Sequence, residues 1–209
     1  MRYQKGPLFP LRVVRPRRLR GKGESALFGN GLRTRVRSCN RRSANAIEQT
    51  DAIFIGGGST FRLLKALQDL ELLEPIHRKV KNGASYIGSS AGSNVAGPTI
   101  KTTKDMPIVQ PGSFDSLGLV PFQISPHYLD PDPNSTHMGE TQEERILQFL
   151  EENETPVVGI RKRAWLLIEN GTVTLKGETG ARIFRRGQAP VEVTPGAEIS
   201  KLVGGPDAG

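Results

Sequence analysis

Apolar and polar positions follow two rhythms along most of the chain. Short apolar runs bounded by glycine or proline, at residues 51–55, 85–88, 120–124 and 156–160, predict buried strands. After the first of these, Phe61, Leu63, Leu64, Leu67, Leu70 and Leu73 recur at helical spacing. Residues 75–80 predict another short helix, opened by a proline whose fixed φ suits a first turn. Residues 91–96 predict the start of a helix directly behind the second strand. Residues 141–153 predict a longer one: Thr141 with Glu144 three positions on makes a capping box, and Ile146, Leu147, Phe149 and Leu150 form the apolar face. Residues 165–169, 173–176, 181–185 and 191–193 are short strands separated by Asn-Gly and Gly turns, which predicts a C-terminal antiparallel meander. Strand, helix, strand, helix through the middle predicts an α/β domain: a mostly parallel sheet with helices on both faces.

The first 46 residues break this rhythm. They hold 13 Lys/Arg against one acid, Glu24, while the rest of the chain holds 16 Lys/Arg against 20 acids. The net charge of +8 therefore belongs to the basic N-terminal segment, and the remainder is a mildly acidic globular sequence. Residues 11–14 and 32–36 could form short strands. The segment as a whole is expected to be poorly ordered or aberrant and dispensable for chemistry. A nucleic-acid arm or a transit peptide would also be Arg-rich, but there is no interleaved aromatic pattern and no amphipathic helix. The expected organisation is residues 1–46 as that segment, 47–203 as the α/β domain and 204–209 as a tail. One cysteine, Cys39, excludes an internal disulfide framework and a cysteine-based structural zinc site. No apolar run reaches the length of a membrane-spanning helix.

The candidate chemistry lies at two glycine-rich strand ends. Gly88-Ser89-Ser90-Ala91-Gly92 matches G-x-S-x-G between a strand and a helix, the context of a nucleophile elbow with Ser90 as nucleophile. The N–H of Ala91 would face the oxygen of the attacked carbonyl. Gly56-Gly57-Gly58-Ser59-Thr60 follows the first strand and opens a helix, so its N–H groups suit an anion or oxyanion. It lacks the Lys-Ser/Thr ending of a P-loop and the spacing of a dinucleotide fingerprint. A serine nucleophile needs a base and an acid to orient it. Of three histidines, His127 stands at a strand end behind Pro126 and is the best-placed base. His77 lies in a charged helix and reads as a surface residue, and His137 suits a loop or cap. Asp105, in the loop between Ser90 and His127, is the candidate acid, with a loop-capping role as its alternative. Asp130 and Asp132 are its rivals.

The runs AIFIGGGSTF (residues 52–61), YIGSSAGSN (86–94), PTIKTTKDMPIV (98–109), PFQISPH (121–127) and HMGET (137–141) together resemble the peptidase E family of aspartyl dipeptidases. The resemblance covers roughly residues 45–203. It implies a fold like class I glutamine amidotransferases and cytoplasmic, serine-type hydrolysis of dipeptides with an N-terminal aspartate. It carries catalytic roles onto Ser90, His127 and Asp105, and an oxyanion hole onto Gly57, Gly58 and Ala91. Ser59, Lys101, Gln142 and Arg145 are the candidate substrate-binding residues. No cofactor or metal is implied, the partner is a small peptide, no membrane is involved, and nucleic acid would enter only through residues 1–46. The chain departs from the family pattern at four places. The stretch before the glycine loop is shorter and basic, Ser59 replaces an asparagine, Gln142 replaces an arginine, and Lys162 stands where relatives carry an acid. A lysine cannot accept a hydrogen bond from imidazole. A weakened homologue that binds small ligands is the alternative reading, and a lipase-type hydrolase a more distant one.

Overall fold

The computed structural model describes residues 11–12 and 41–204, except 133, 135, 137 and 138. The second candidate strand of the basic segment, residues 32–36, lies outside the described residues, as does His137. The first element is the short strand β1 (Leu11–Arg12). Helix α1 (Arg41–Glu48) leads into β2 (Ala52–Ile55), so the expected boundary after residue 46 falls inside a helix.

Helix α2 (Thr60–Asp69) starts where Ser59 in extended geometry accepts a hydrogen bond from the N–H of Arg62, 3.4 Å, an N-cap. It buries Phe61, Leu64 and Leu67, the face set by the helical spacing. The apolar repeat through Leu73 is not one helix. Glu71 adopts a φ of 52°, and Leu73 begins a second helix, α3 (Leu73–Lys81). His77 on α3 is half-buried, and its Nδ1 lies 2.6 Å from the carbonyl oxygen of Leu117, so it is a packing residue and not a surface one. Strand β3 (Ser85–Gly88) then pairs with β2 in parallel, and the four-residue helix α4 (Ala91–Asn94) follows the turn at Ser90.

Strand β4 (Gln123–Pro126) sits a little later than residues 120–124, and pairs in parallel with β5 (Val157–Ile160). Between them, α5 (Gln142–Glu152) carries the capping box in full. Thr141 accepts from the N–H of Glu144, and the Glu144 carboxylate accepts from the N–H of Thr141. Its apolar face is narrower than expected: Ile146 and Leu150 are buried, and Leu147 is exposed. The remaining elements are β6 (Ala164–Glu169), β7 (Thr172–Gly177), β8 (Ala181–Phe184), β9 (Val191–Val193) and α6 (Ser200–Val203).

The architecture is α/β, but the sheets are mixed rather than mostly parallel. One runs β2-β3-β1-β6-β7 and the other β4-β5-β8-β9. Among the described residues, parallel pairing is confined to β2 with β3, β3 with β1, and β4 with β5. The C-terminal strands are antiparallel without forming one meander. The hairpin β6-β7 joins the first sheet through β1, whereas β8-β9 joins the second through β5. β1 is therefore the seam of the first sheet, with Leu11 opposite Tyr86 on one side and Ile168 on the other. α4 packs against β2, β3 and β4, so the helix behind Ser90 touches both sheets. One large core gathers Leu64, Tyr86, Phe122, Ile124, Leu166 and Ile183. A smaller one holds Tyr128, Ile146, Leu150, Val157 and Phe184. Among the described residues no helix is long and apolar enough to cross a membrane.

Candidate active site

The turn at Ser90 is built by exclusion of side chains. Ser90 itself adopts φ 54° and ψ −110°, a conformation that L-residues enter only when their surroundings force it. Its flanking glycines leave no alternative. A Cβ on Gly88 would lie 2.6 Å from the carbonyl oxygen of Gly92, and a Cβ on Gly92 would lie 2.0 Å from that of Ile55. These contacts are far inside van der Waals range, so G-x-S-x-G is a steric requirement of the turn. Hydrogen bonds then fix it to β2. The N–H of Ser89 donates to the Ile55 carbonyl at 2.9 Å, and that of Gly92 to the Gly56 carbonyl at 3.2 Å. From beneath, the fully buried Tyr86 donates its hydroxyl to the Gly92 carbonyl at 2.7 Å. Burial pushes the Tyr86 phenol well above its ordinary range, so it stays a donor.

The glycine loop packs directly beside the serine. A Cβ on Gly57 would come 3.2 Å from Cβ and 3.7 Å from Oγ of Ser90. Gly58 has φ +149°. Among the described residues, no hydrogen bond uses the N–H of Gly57, Gly58 or Ala91. On the other side of the loop lies an apolar cavity of about 260 Å³ between α1, α2, α3 and β2, reaching Gly58 and Ala91.

His127 reaches the same pocket as Ser90. Both line a small cleft of about 30 Å³ together with Ser93, Pro126 and the turn Arg161-Lys162-Arg163. The positions on either side of His127 hold it there. Pro126 pairs with Ile160, and the N–H of Tyr128 donates to the Ile160 carbonyl at 2.9 Å. The Tyr128 ring lies against Gly159, where a Cβ would come within 2.9 Å of it, and its hydroxyl donates to Glu143 of α5 at 2.8 Å. Glu143 is itself paired with Arg182 of β8 at 2.7 Å. His127 takes φ 57°, one of three non-glycine residues of the cleft with positive φ, the others being Ser90 and Arg163.

Asp105 is not in this cleft. Its Oδ2 accepts from the N–H of Thr60 at 2.7 Å and from the Thr60 hydroxyl at 2.6 Å. That is the capping role: a carboxylate at the N-terminus of α2, where N–H groups lack helical partners and the helix dipole favours negative charge. Thr60, fully buried, also accepts from the Thr103 hydroxyl at 3.1 Å and from the Asn94 amide at 3.4 Å. Thr60 thus ties the glycine loop, the loop carrying Asp105, and the helix behind Ser90 to one another. Of the rivals, Asp130 is bound by the Arg161 guanidinium through both oxygens, at 2.6 and 2.7 Å, which holds its carboxyl below the usual range. Asp132 accepts from the N–H of Asn134 at 2.9 Å.

None of the four candidate substrate-binding residues lines the cleft. Ser59 caps α2. The Gln142 amide is engaged at both ends, donating to Ser125 Oγ at 2.7 Å and accepting from the N–H of Leu129 at 3.2 Å. Arg145 pairs with Glu140 at 3.4 Å on the exposed side of α5. Lys101 is exposed, and its N–H donates to Thr99 Oγ1 at 3.3 Å. The residues that the sequence left unremarked are Thr60, Tyr86 and Lys104. Lys104 donates to the His127 carbonyl at 3.2 Å. Its adjacency to Asp105 in the run PTIKTTKD is the only local sign that it approaches the site. Partial desolvation holds the Lys104 ammonium below its usual range; Asp105 opposes the shift and Lys162 adds to it.

A strained serine between two obligatory glycines, backed by a second glycine loop and sharing a cleft with a histidine, defines an α/β protein with a nucleophile-elbow type of turn. The comparisons with known proteins narrow that class. The model of Peptidase family S51 matches residues 21–176, and the chain belongs to that family. Peptidase E of Streptomyces coelicolor is 55% identical over 157 residues, 75% of this chain and 65% of that protein. A Drosophila melanogaster protein designated "Probable alpha-aspartyl dipeptidase" is 43% identical over 159 residues, 76% of this chain and 66% of its own. The chain thus spans just under two thirds of the length of these relatives. Among solved structures, a peptidase E protein from Listeria monocytogenes EGD-e aligns with a TM-score of 0.54 at 26% identity, covering 68% of this chain and 66% of that one. A peptidase from an acI-B1 Actinobacterium aligns with a TM-score of 0.59 at 18% identity, covering 77% and 64%, a likeness of fold.

Proposed function

We propose that the chain is a serine-type dipeptidase that hydrolyses dipeptides with an N-terminal aspartate through an acyl-enzyme. The observation that carries this reading is the Ser90 turn, whose strained backbone and obligatory glycines have no structural purpose that an ordinary turn would not meet. The names of the relatives, peptidase E and alpha-aspartyl dipeptidase, supply the substrate class.

In this mechanism Ser90 Oγ attacks the scissile carbonyl while His127 takes its proton. The developing oxyanion is held by the N–H groups of Ala91 and of Gly57 or Gly58; loss of one such donor costs about 3 kcal/mol of barrier. His127 then protonates the leaving amine, and water releases aspartate from Ser90. Asp105 is a positioning residue: through Thr60 it fixes the start of α2 and with it the glycine loop. The chemistry needs no metal or organic cofactor, and the reading implies a cytoplasmic enzyme acting on small peptides. The test is release of free leucine from Asp-Leu. The parent chain should turn over, and Ser90→Ala should be inactive with an unchanged melting curve. Equal activity in Ser90→Ala would sink the serine-peptidase reading.

A further inference from the structure

The cleft shared by Ser90 and His127 is rich in cations. Arg161, Lys162 and Arg163 line it, and Lys104, next to Asp105 in the chain, donates to the backbone carbonyl of His127, one of the residues of the cleft. These cations differ in their partners. Arg161 is held by Asp130 and Glu192, and Arg163 pairs with Glu178. Among the described residues, no carboxylate comes within ion-pair distance of the ammonium of Lys104 or Lys162. Both approach His127: Lys104 bonds its carbonyl oxygen at 3.2 Å, and Lys162 lines the cleft in which it stands. These two ammonium groups outnumber the carboxylate that acts on them, Asp105 next to Lys104, and around a cleft with room for one or two water-sized groups that excess of positive charge favours a small anion.

Their position beside His127 selects which anion. In acyl transfer from a serine, the acyl portion lies toward the oxyanion donors, and the leaving amine lies at the imidazole that protonates it. Lys104 bonds the backbone of His127 itself, and Lys162 shares its cleft, whereas the glycine loop is held by Thr60 and Asp105. A carboxylate meeting the two lysines therefore belongs to the leaving residue. In a dipeptide that group is the free C-terminal carboxylate.

We propose that Lys104 and Lys162 bind the C-terminal carboxylate of the leaving residue, and so restrict the enzyme to dipeptides with a free C-terminus. The inference rests on the dipeptidase reading and adds to it a recognition element for the second residue. It also gives Lys162 a function at a position where relatives carry an acid. The bound carboxylate brings negative charge beside His127 at the step in which the ring becomes a cation, offsetting the two ammonium groups.

The experiment compares kcat/KM for Asp-Leu and for Asp-Leu-amide, which differ only in the charge of the C-terminus. The parent should favour the free acid at least tenfold. Lys162→Gln and Lys104→Gln should each bring the ratio close to one, mainly by raising KM for the free acid. Lys162→Arg, which keeps the charge, should restore the preference. Melting curves recorded for all variants separate loss of fold from loss of recognition, and Lys162 is exposed enough to tolerate exchange. A parent that cleaves both substrates equally, or a ratio that neither Gln variant moves, overturns this inference and leaves the dipeptidase intact. A parent that cleaves neither overturns the dipeptidase reading and this inference with it.

Discussion

Asp105 offers the sharpest test of how the site is held together, because two roles for one carboxylate predict opposite outcomes. As the orienting acid of a triad, its conversion to Asn would lower kcat about ten-thousandfold, by analogy with serine proteases, with little effect on stability. As the cap of α2, it matters through its bonds to Thr60, at 2.6 and 2.7 Å. Asp105→Asn keeps an oxygen able to accept from Thr60 and loses only the charge at the helix N-terminus, a loss of about 0.5–1 kcal/mol. Turnover should then fall less than about tenfold, since the barrier change is of the same size. Asp105→Ala removes the acceptor altogether. It orphans a backbone N–H and the hydroxyl of the fully buried Thr60, costing about 2–4 kcal/mol. At about 2–4 °C per kcal/mol for a domain of this size, that lowers the melting temperature by about 5–15 °C. The assay pairs Asp-Leu turnover with thermal unfolding for both variants. A thousandfold or greater loss of kcat in Asp105→Asn at an unchanged melting temperature would refute the capping assignment.

Two further outcomes follow from backbone geometry. Gly92→Ala would set a Cβ 2.0 Å from the Ile55 carbonyl oxygen, so β2 and the elbow must separate; the variant should lose activity and several kcal/mol of stability, measured by denaturant unfolding. Deleting residues 1–12 removes β1, whose backbone joins β3 to β6, and should lower the melting temperature by more than about 10 °C or abolish cooperative unfolding. An unchanged melt would mean that the two halves of the first sheet hold without the seam.

Features whose causes lie within a few residues of one another were legible along the chain. The elbow is one in part: the clash that demands Gly88 comes from Gly92 four positions on, whereas the clash that demands Gly92 comes from Ile55 of β2. The α5 capping box is another, because Thr141 and Glu144 satisfy each other's N–H groups one turn apart. Strand and helix positions followed from periodicity, which reports how one face of an element meets the core. The split of the C-terminal strands between two sheets did not follow, since β6 and β8 have similar apolar patterns and only their neighbours, β1 and β5, distinguish them. The insertion of Leu11–Arg12 between β3 and β6 was equally hidden, because backbone pairing carries no composition and the flanking sequence is a run of arginines. Side-chain partners were the least legible of all. Asp105 and Thr60 are separated by 45 positions, and a carboxylate in a polar loop reads alike as a triad acid and as a helix cap. Gln142 likewise turns inward to Ser125 and Leu129, while Lys104 and Lys162, far apart in the chain, both approach His127, one at its carbonyl and the other in its cleft. Sterics and hydrogen bonding around the β3–α4 turn set Ser90 and its backbone. Which charges surround it depended on how distant loops close over the sheet ends, and only the tertiary structure decides that.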